Sequence, residues 1–258
     1  MMNDHIETVR NLIGDLRMAI SLATRIPIGP TTPIAAGDMA RATWALPVAG
    51  VVVGLAGAIV YWLAIRFRLQ PEPAAMLALA ATIRITGAMH EDGLADTVDG
   101  FGGGKTRDDK LAIMRDSRIG AFGACALVVS IILRWSTLVA IADPRLVAIA
   151  FVVAHAAARA PLPLFMRLLP PARTDGLSVS AGQPPPQSAV IAIALGLVFL
   201  LFGRGLRGPM IALLALAAAV LLIAHLSRKQ IGGQTGDVLG ALEQLCEAAV
   251  LAIASSLL

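Results

Sequence analysis

An all-α fold, a polytopic integral membrane helical bundle of about six to eight transmembrane helices, is the class the sequence predicts, and three observations predict it. The 258 residues are 57% apolar and only 15% charged, against about 25% charged in an ordinary soluble domain. Apolar runs recur at about 44–65, 74–89, 120–142, 145–169, 188–202, 208–227 and 238–258, several near the roughly 20 residues that a helix needs to cross the hydrocarbon. The bases are spread through the connections between these runs, as the positive-inside rule expects. The whole chain, 1–258, reads as one membrane-embedded domain.

Taken in order, "MMNDHIETVRNLIGDLRM" mixes acids with bases and lacks the basic start and small-residue cleavage site of a signal peptide. The stretch Leu12–Ile28 and the shorter apolar runs fit re-entrant or interfacial segments as well as spans. In "LPVAGVVVGLAG", Gly50, Gly54 and Gly57 fall at helical spacing, so backbones can approach closely on that face. The loop from Gly100 to Arg118 carries Lys105, Arg107, Lys110, Arg115 and Arg118, which predicts a cytoplasmic position. In "SVSAGQPPPQ" three prolines stop any helix. Cys125 and Cys246 stand in separate apolar runs and behave as small hydrophobes. The net charge of +4 has no interleaved aromatics, so nucleic acid is not an expected partner.

The chemistry concentrates in "HEDGLADTVDGFGGG", His90 to Gly104. If the helix entering from Ala74 continues through it, Asp92, Asp96 and Asp99 stand at i, i+4 and i+7 on one face. Unneutralised, three such carboxylates raise one another's pKa, so a cation is expected there. Oxygen ligands alone favour Mg²⁺ or Mn²⁺. The glycines behind let backbone N–H groups approach an anion, and a solvated helix end is the plainer alternative. A second polar island, "GGQTGDVLGALEQLCE", places Asp237, Glu243 and Glu247 at the start of the last span. These acids either complete a metal site, bind a polar substrate or form a polar seam between helices. Arg84, Arg134 and Arg159 lie within spans, His155 one turn before Arg159, and Arg173 follows in "ARTDGLS". Arg159 and Arg173 flank a polar loop and can clamp phosphate.

These residues resemble the cobalamin synthase family, membrane enzymes that join the nucleotide loop onto adenosylcobinamide-GDP. The resemblance runs through "TRIPIGP", "LPVAGVVVGLAG", "HEDGLADTVDGF", "RDDKLAIMRDSRIGAFG", "ARTDGLS" and "GGQTGDVLGALEQLCE", nearly the whole chain in family order. It implies Mg²⁺-dependent transfer in which a hydroxyl of α-ribazole, or of its 5′-phosphate, attacks the cobinamide-linked phosphorus and GMP leaves. With the chemistry above, it assigns Asp92, Asp96 and Asp99, with Asp116, to the metal, and His90 or Asp237 to the base. Arg115, Asp116, Arg118, Arg159, Arg173 and Glu247 are then expected at the substrate. The family's second acid at position 244 is Gln244 here. The expected location is a bacterial inner membrane with the site facing the cytoplasm, in contact with the lipid bilayer, whether as a monomer or a homo-oligomer. Two other membrane enzymes fit less well. The pattern of a CDP-alcohol phosphotransferase fails at Met89 and Asp96, and a prenyltransferase matches only the spacing of "DGLAD". A cation or vitamin transporter would show symmetry between halves, which the sequence lacks.

Overall fold

The computed structural model describes residues 2–29, 34–202 and 207–256; Pro30 of the "TRIPIGP" block lies outside them. Every regular element described is helical. The chain starts with α1 (Met2–Ala23), a short α2 (Asp38–Ala42) that leads through one 3₁₀ turn into α3 (Leu46–Arg66), and α4 (Pro71–Thr86). It continues with α5 (Met89–Gly103), α6 (Arg107–Ile113), α7 (Ala121–Ile141), α8 (Pro144–Arg159) and α9 (Leu162–Leu168). It closes with α10 (Leu177–Ala181), α11 (Pro186–Leu201), α12 (Arg207–Ile231) and α13 (Gly236–Ser256).

Five stretches are long and apolar enough to cross a membrane: Asp38–Arg66, Ala121–Ile141, Pro144–Leu168, Arg207–Ile231 and Gly236–Ser256. One shorter helix, α11, is apolar, and it and α4 have 16 residues each. At 1.5 Å per residue they reach about 24 Å, short of a hydrocarbon core of about 30 Å. The lower end of the sequence expectation is therefore reached only if one of them is completed by its flanks.

Glycines set how closely the helices pack. A methyl group on Gly50 would lie 2.2 Å from the carbonyl oxygen of His155, and one on Gly54 would lie 2.7 Å from that of Phe151. The glycine face of α3 thus touches the backbone of α8, as its spacing predicts, and α8 is enclosed from Val153 to Arg159. By contrast α12 leaves Leu213, Leu214, Leu221 and Leu222 exposed, which suits contact with lipid tails.

The helix entering from α4 does not continue through the acidic stretch. Gly87 and Ala88 both adopt left-handed backbone, φ 70° and 60°, which ends one helix and starts another at a new angle. Gly87 is also where the side chain of Arg25 packs, 2.2 Å from a Cβ added there. The break lets α5 leave the direction of α4 and run among α7, α6 and α13.

Candidate active site

Within α5, Asp92, Asp96 and Asp99 share one face, as the spacing predicts, but their surroundings differ. Asp99 is buried and accepts hydrogen bonds from the backbone N–H groups of Gly120, 2.7 Å, and Gly123, 2.8 Å. Its carboxylate sits at the positive end of the α7 dipole, capping that helix. Both glycines are required for this: a Cβ at either would fall 2.3–2.4 Å from an Asp99 oxygen. Asp99 therefore ties α5 to α7, and the open acidic face is left to Asp92 and Asp96.

Asp237 joins that face from α13. Gly93 and Gly240 bring the two backbones into contact, since a Cβ on Gly93 would lie 2.7 Å from the carbonyl oxygen of Asp237. Burial and the negative charges of Asp92, Asp237 and Asp99 push Asp96 up to about 7, while Arg173 pulls it down. An acid raised this far holds its proton until near neutrality, so the cluster takes up a positive charge, as a proton or as a metal ion. Asp92, Asp96 and Asp237 offer oxygen only, the donor chemistry of a hard divalent cation, and in that respect they fit Mg²⁺, but among the described residues only His155, Glu243 and Glu247 bring their ligand atoms within 4.8 Å of one another.

Arg173 reaches the cluster because two loops are clasped together. Ala172 N–H donates to the Gln234 carbonyl, and Gln234 N–H donates to that of Pro170, both at 2.8 Å. Gly233 permits the approach, as a Cβ there would lie 2.2 Å from the Pro170 oxygen, and Gly232 turns the chain at φ 76°. Arg107 of α6 staples both loops, its guanidinium donating to the carbonyls of Ile231, 2.9 Å, and Ala172. So held, Arg173 donates to Asp237 Oδ2 at 3.2 Å, and Thr235 Oγ donates to the same oxygen at 3.2 Å.

At the rim, Arg118 donates to Asp116 at 3.0 Å and holds that carboxyl down at about 2. Arg115 pairs with Asp175. Asp116, expected at the metal, is paired here with Arg118 and is not among the charges that act on Asp96. Arg115 and Arg118 are both exposed.

His90, Arg159 and Glu247 take a different place from the one expected of them. Residues two apart on a helix point to different sides, and His90 points away from Asp92 into the bundle. Its Nδ1 lies 3.3 Å from Arg159 and 3.6 Å from Glu243. Arg159, 1% exposed, forms an ion pair with Glu243 at 2.5 Å and lies 3.3 Å from His155. Arg134, also 1% exposed, donates to Glu91 at 3.1 Å and to Glu247 at 3.2 Å, and His155 lies 3.3 Å from Glu247. Gln244 bridges Glu243 and Ser130. The result is a buried belt of charges joining α5, α7, α8 and α13 beneath the acidic face. Arg159 and Glu247 are engaged there, whereas Arg173 and Asp237 stand at the acidic face. Sequence reasoning gave no site role to Glu91, Arg107 or Asp175. Glu91 had a readable signal, a fourth acid beside an arginine-bearing span, whereas nothing local marks Arg107.

This arrangement defines a class: a polytopic helical membrane enzyme with an acid-lined, arginine-flanked site at one end of its bundle. The sequence pattern of the cobalamin-5-phosphate synthase family matches residues 15–255, and the chain belongs to that family. A protein of Bradyrhizobium diazoefficiens named adenosylcobinamide-GDP ribazoletransferase is 57% identical over 250 residues, covering 97% of this chain and 96% of its own. Proteins of the same name from Mesorhizobium japonicum and Azorhizobium caulinodans are 49% and 41% identical, covering 95% and 93% of this chain and 94% of each of their own. No solved structure matches the chain.

Proposed function

We propose that the chain is a Mg²⁺-dependent adenosylcobinamide-GDP ribazoletransferase that completes cobalamin assembly at the cytoplasmic face of a bacterial inner membrane. The family membership and the names of the relatives support the reaction. The observation that carries it is the convergence of Asp92, Asp96 and Asp237 from two helices beside Arg173. A diphosphate substrate needs both halves of that arrangement: oxygen ligands for the ion that accompanies it and a guanidinium for its own oxygens.

In this reading Asp92 and Asp96 would hold the ion, and Asp237 beside them is kept for the proton. When bound, Mg²⁺ supplies neutralisation of the diphosphate charge. Arg173 binds a non-bridging phosphate oxygen and gives up its contact with Asp237 as it does so. Asp237, released from that pair, accepts the proton of the α-ribazole hydroxyl. The new O–P bond forms at the cobinamide-linked phosphorus, the bond to the GMP oxygen breaks, and GMP departs with the electron pair. Arg115 and Arg118 line the exit at the rim.

The direct test is to incubate the purified chain with adenosylcobinamide-GDP, α-ribazole and Mg²⁺. GMP and the joined corrinoid are expected in equal amounts, with neither formed when the acceptor is omitted. Movement of corrinoid into empty vesicles with no GMP would favour a transporter instead.

Orientation has its own support. The end of the bundle that carries the site holds Arg25, Arg41, Lys105, Arg107, Lys110, Arg115, Arg118, Arg167, Arg173, Arg228 and Lys229, far more than the other end. Thr106 caps α6 and should be left intact. A cysteine at the exposed Asp108, in a chain lacking Cys125 and Cys246, is therefore the probe. Membrane-impermeant thiol reagent should label it only when the cytoplasmic side is opened, and labelling in intact cells would reverse the orientation.

A further inference from the structure

At the end of the bundle away from α5, the turns after α3 and α7 form a hollow open to the surface, of about 410 Å³, lined by Trp62, Arg66, Arg68, Asp143 and Arg145 among others. Three exposed arginines and one exposed aspartate thus share its lining. That carboxylate is already engaged, since Asp143 Oδ1 accepts from the N–H groups of Arg145, 2.9 Å, and Leu146, 3.0 Å, to cap α8. Among the described residues, none of the three arginines forms an ion pair or donates a side-chain hydrogen bond. Both turns are built firmly: Arg68 and Ala142 hold left-handed backbone, φ 64° and 54°, and the buried Tyr61 hydroxyl donates to the Ala142 carbonyl at 3.0 Å.

An apolar track leads to this cavity from the middle of α3. Leu55, Ile59 and Trp62 recur at helical spacing and are 47%, 56% and 54% exposed, with Leu63 beside them and Phe67, 75% exposed, at the end. Tryptophan at the end of a span marks the level of the lipid headgroups. Unpaired arginines around a hollow at that level match a phosphodiester, whose oxygens a guanidinium can bind two at a time. On the orientation proposed above, this end faces away from the cytoplasm, where arginine is depleted, so an anionic partner in that leaflet explains why three are kept together. The chemistry of the cavity is the same in either orientation.

We propose that this cavity binds the phosphate of an anionic phospholipid, with its acyl chains laid along Leu55, Ile59, Trp62 and Leu63. A lipid phosphate and free inorganic phosphate share this chemistry, and the test separates them. The full chain, purified in detergent, is heated in the presence of phosphatidylglycerol, of phosphatidylcholine or of inorganic phosphate. Phosphatidylglycerol is expected to raise the unfolding midpoint by roughly 5 °C over the other two. The Arg66→Gln/Arg68→Gln/Arg145→Gln chain should lose that difference while releasing GMP at the wild-type rate in detergent. An equal response of the wild type to phosphatidylglycerol and phosphatidylcholine, or to inorganic phosphate alone, would overturn the proposal. So would a triple variant that keeps the lipid-specific rise. If the triple variant does not fold, Arg66→Gln, Arg68→Gln and Arg145→Gln are made singly: each should lose part of the phosphatidylglycerol-specific rise, and full retention in all three would overturn the proposal.

Discussion

Asp92→Asn and Asp96→Asn are each expected to lower GMP release by about two orders of magnitude, and the double variant should lose little more. Each change preserves size and removes one charge from a cluster that acts as one unit, and losses inside such a unit do not add. Asp99→Asn should behave differently. Its carboxylate accepts from Gly120 and Gly123, and an amide in its place keeps one acceptor but turns a donor toward the start of α7. The expected result is a lower unfolding midpoint with a smaller kinetic loss. Steady-state kinetics and thermal unfolding of the three variants in one detergent check both statements. Equal kinetic losses in all three, without destabilisation of Asp99→Asn, would return Asp99 to the ion.

The second large effect belongs to the buried belt. Arg159→Met leaves Glu243 without its guanidinium in a fully enclosed position, and Arg134→Met does the same to Glu91 and Glu247. Removing one partner of a buried pair costs about 3–5 kcal/mol, because the other charge stays behind uncompensated. Both variants should therefore show sharply reduced folded yield. Replacing the pair together, as Arg159→Met/Glu243→Leu, should recover most of that yield, since apolar groups of similar volume often substitute for a buried ion pair without loss. Thermal unfolding and detergent-resistant yield report this. A well-folded Arg159→Met chain that has lost only catalysis would instead place Arg159 at the substrate.

The sequence made the main lines of this molecule legible where the signal was periodic or local. The apolar runs fall on the helices, the glycines of α3 meet a neighbouring backbone, and Asp92 and Asp96 share a face. What it could not convey depended on partners distant in the chain. The break at Gly87–Ala88 was hidden because Ala88 adopts a left-handed backbone that alanine rarely takes. The turning of Asp99 toward Gly120 and Gly123 lies 21 and 24 residues away. His90 and Arg159 carry the residue types of a base and a phosphate clamp, but residue type says nothing about direction. Their belt is assembled from four helices, and only packing reveals that both point inward. Arg107 is hidden for the same reason, as its two carbonyl partners, Ala172 in a loop and Ile231 at the end of α12, lie 65 and 124 residues further on.

The central claim is that Asp92 and Asp96, on the face they share with Asp237, hold the divalent ion used in the transfer. Mn²⁺ stands in for Mg²⁺ and is visible by electron paramagnetic resonance, so its binding can be measured apart from turnover. Titrating Mn²⁺ into the purified chain with adenosylcobinamide-GDP present, and repeating the titration with Asp92→Asn/Asp96→Asn, is the most direct measurement. The account predicts saturable binding by the wild type, displaced by excess Mg²⁺, and weakened at least about 10-fold in the double variant. Wild-type affinity retained in a folded double variant would contradict it.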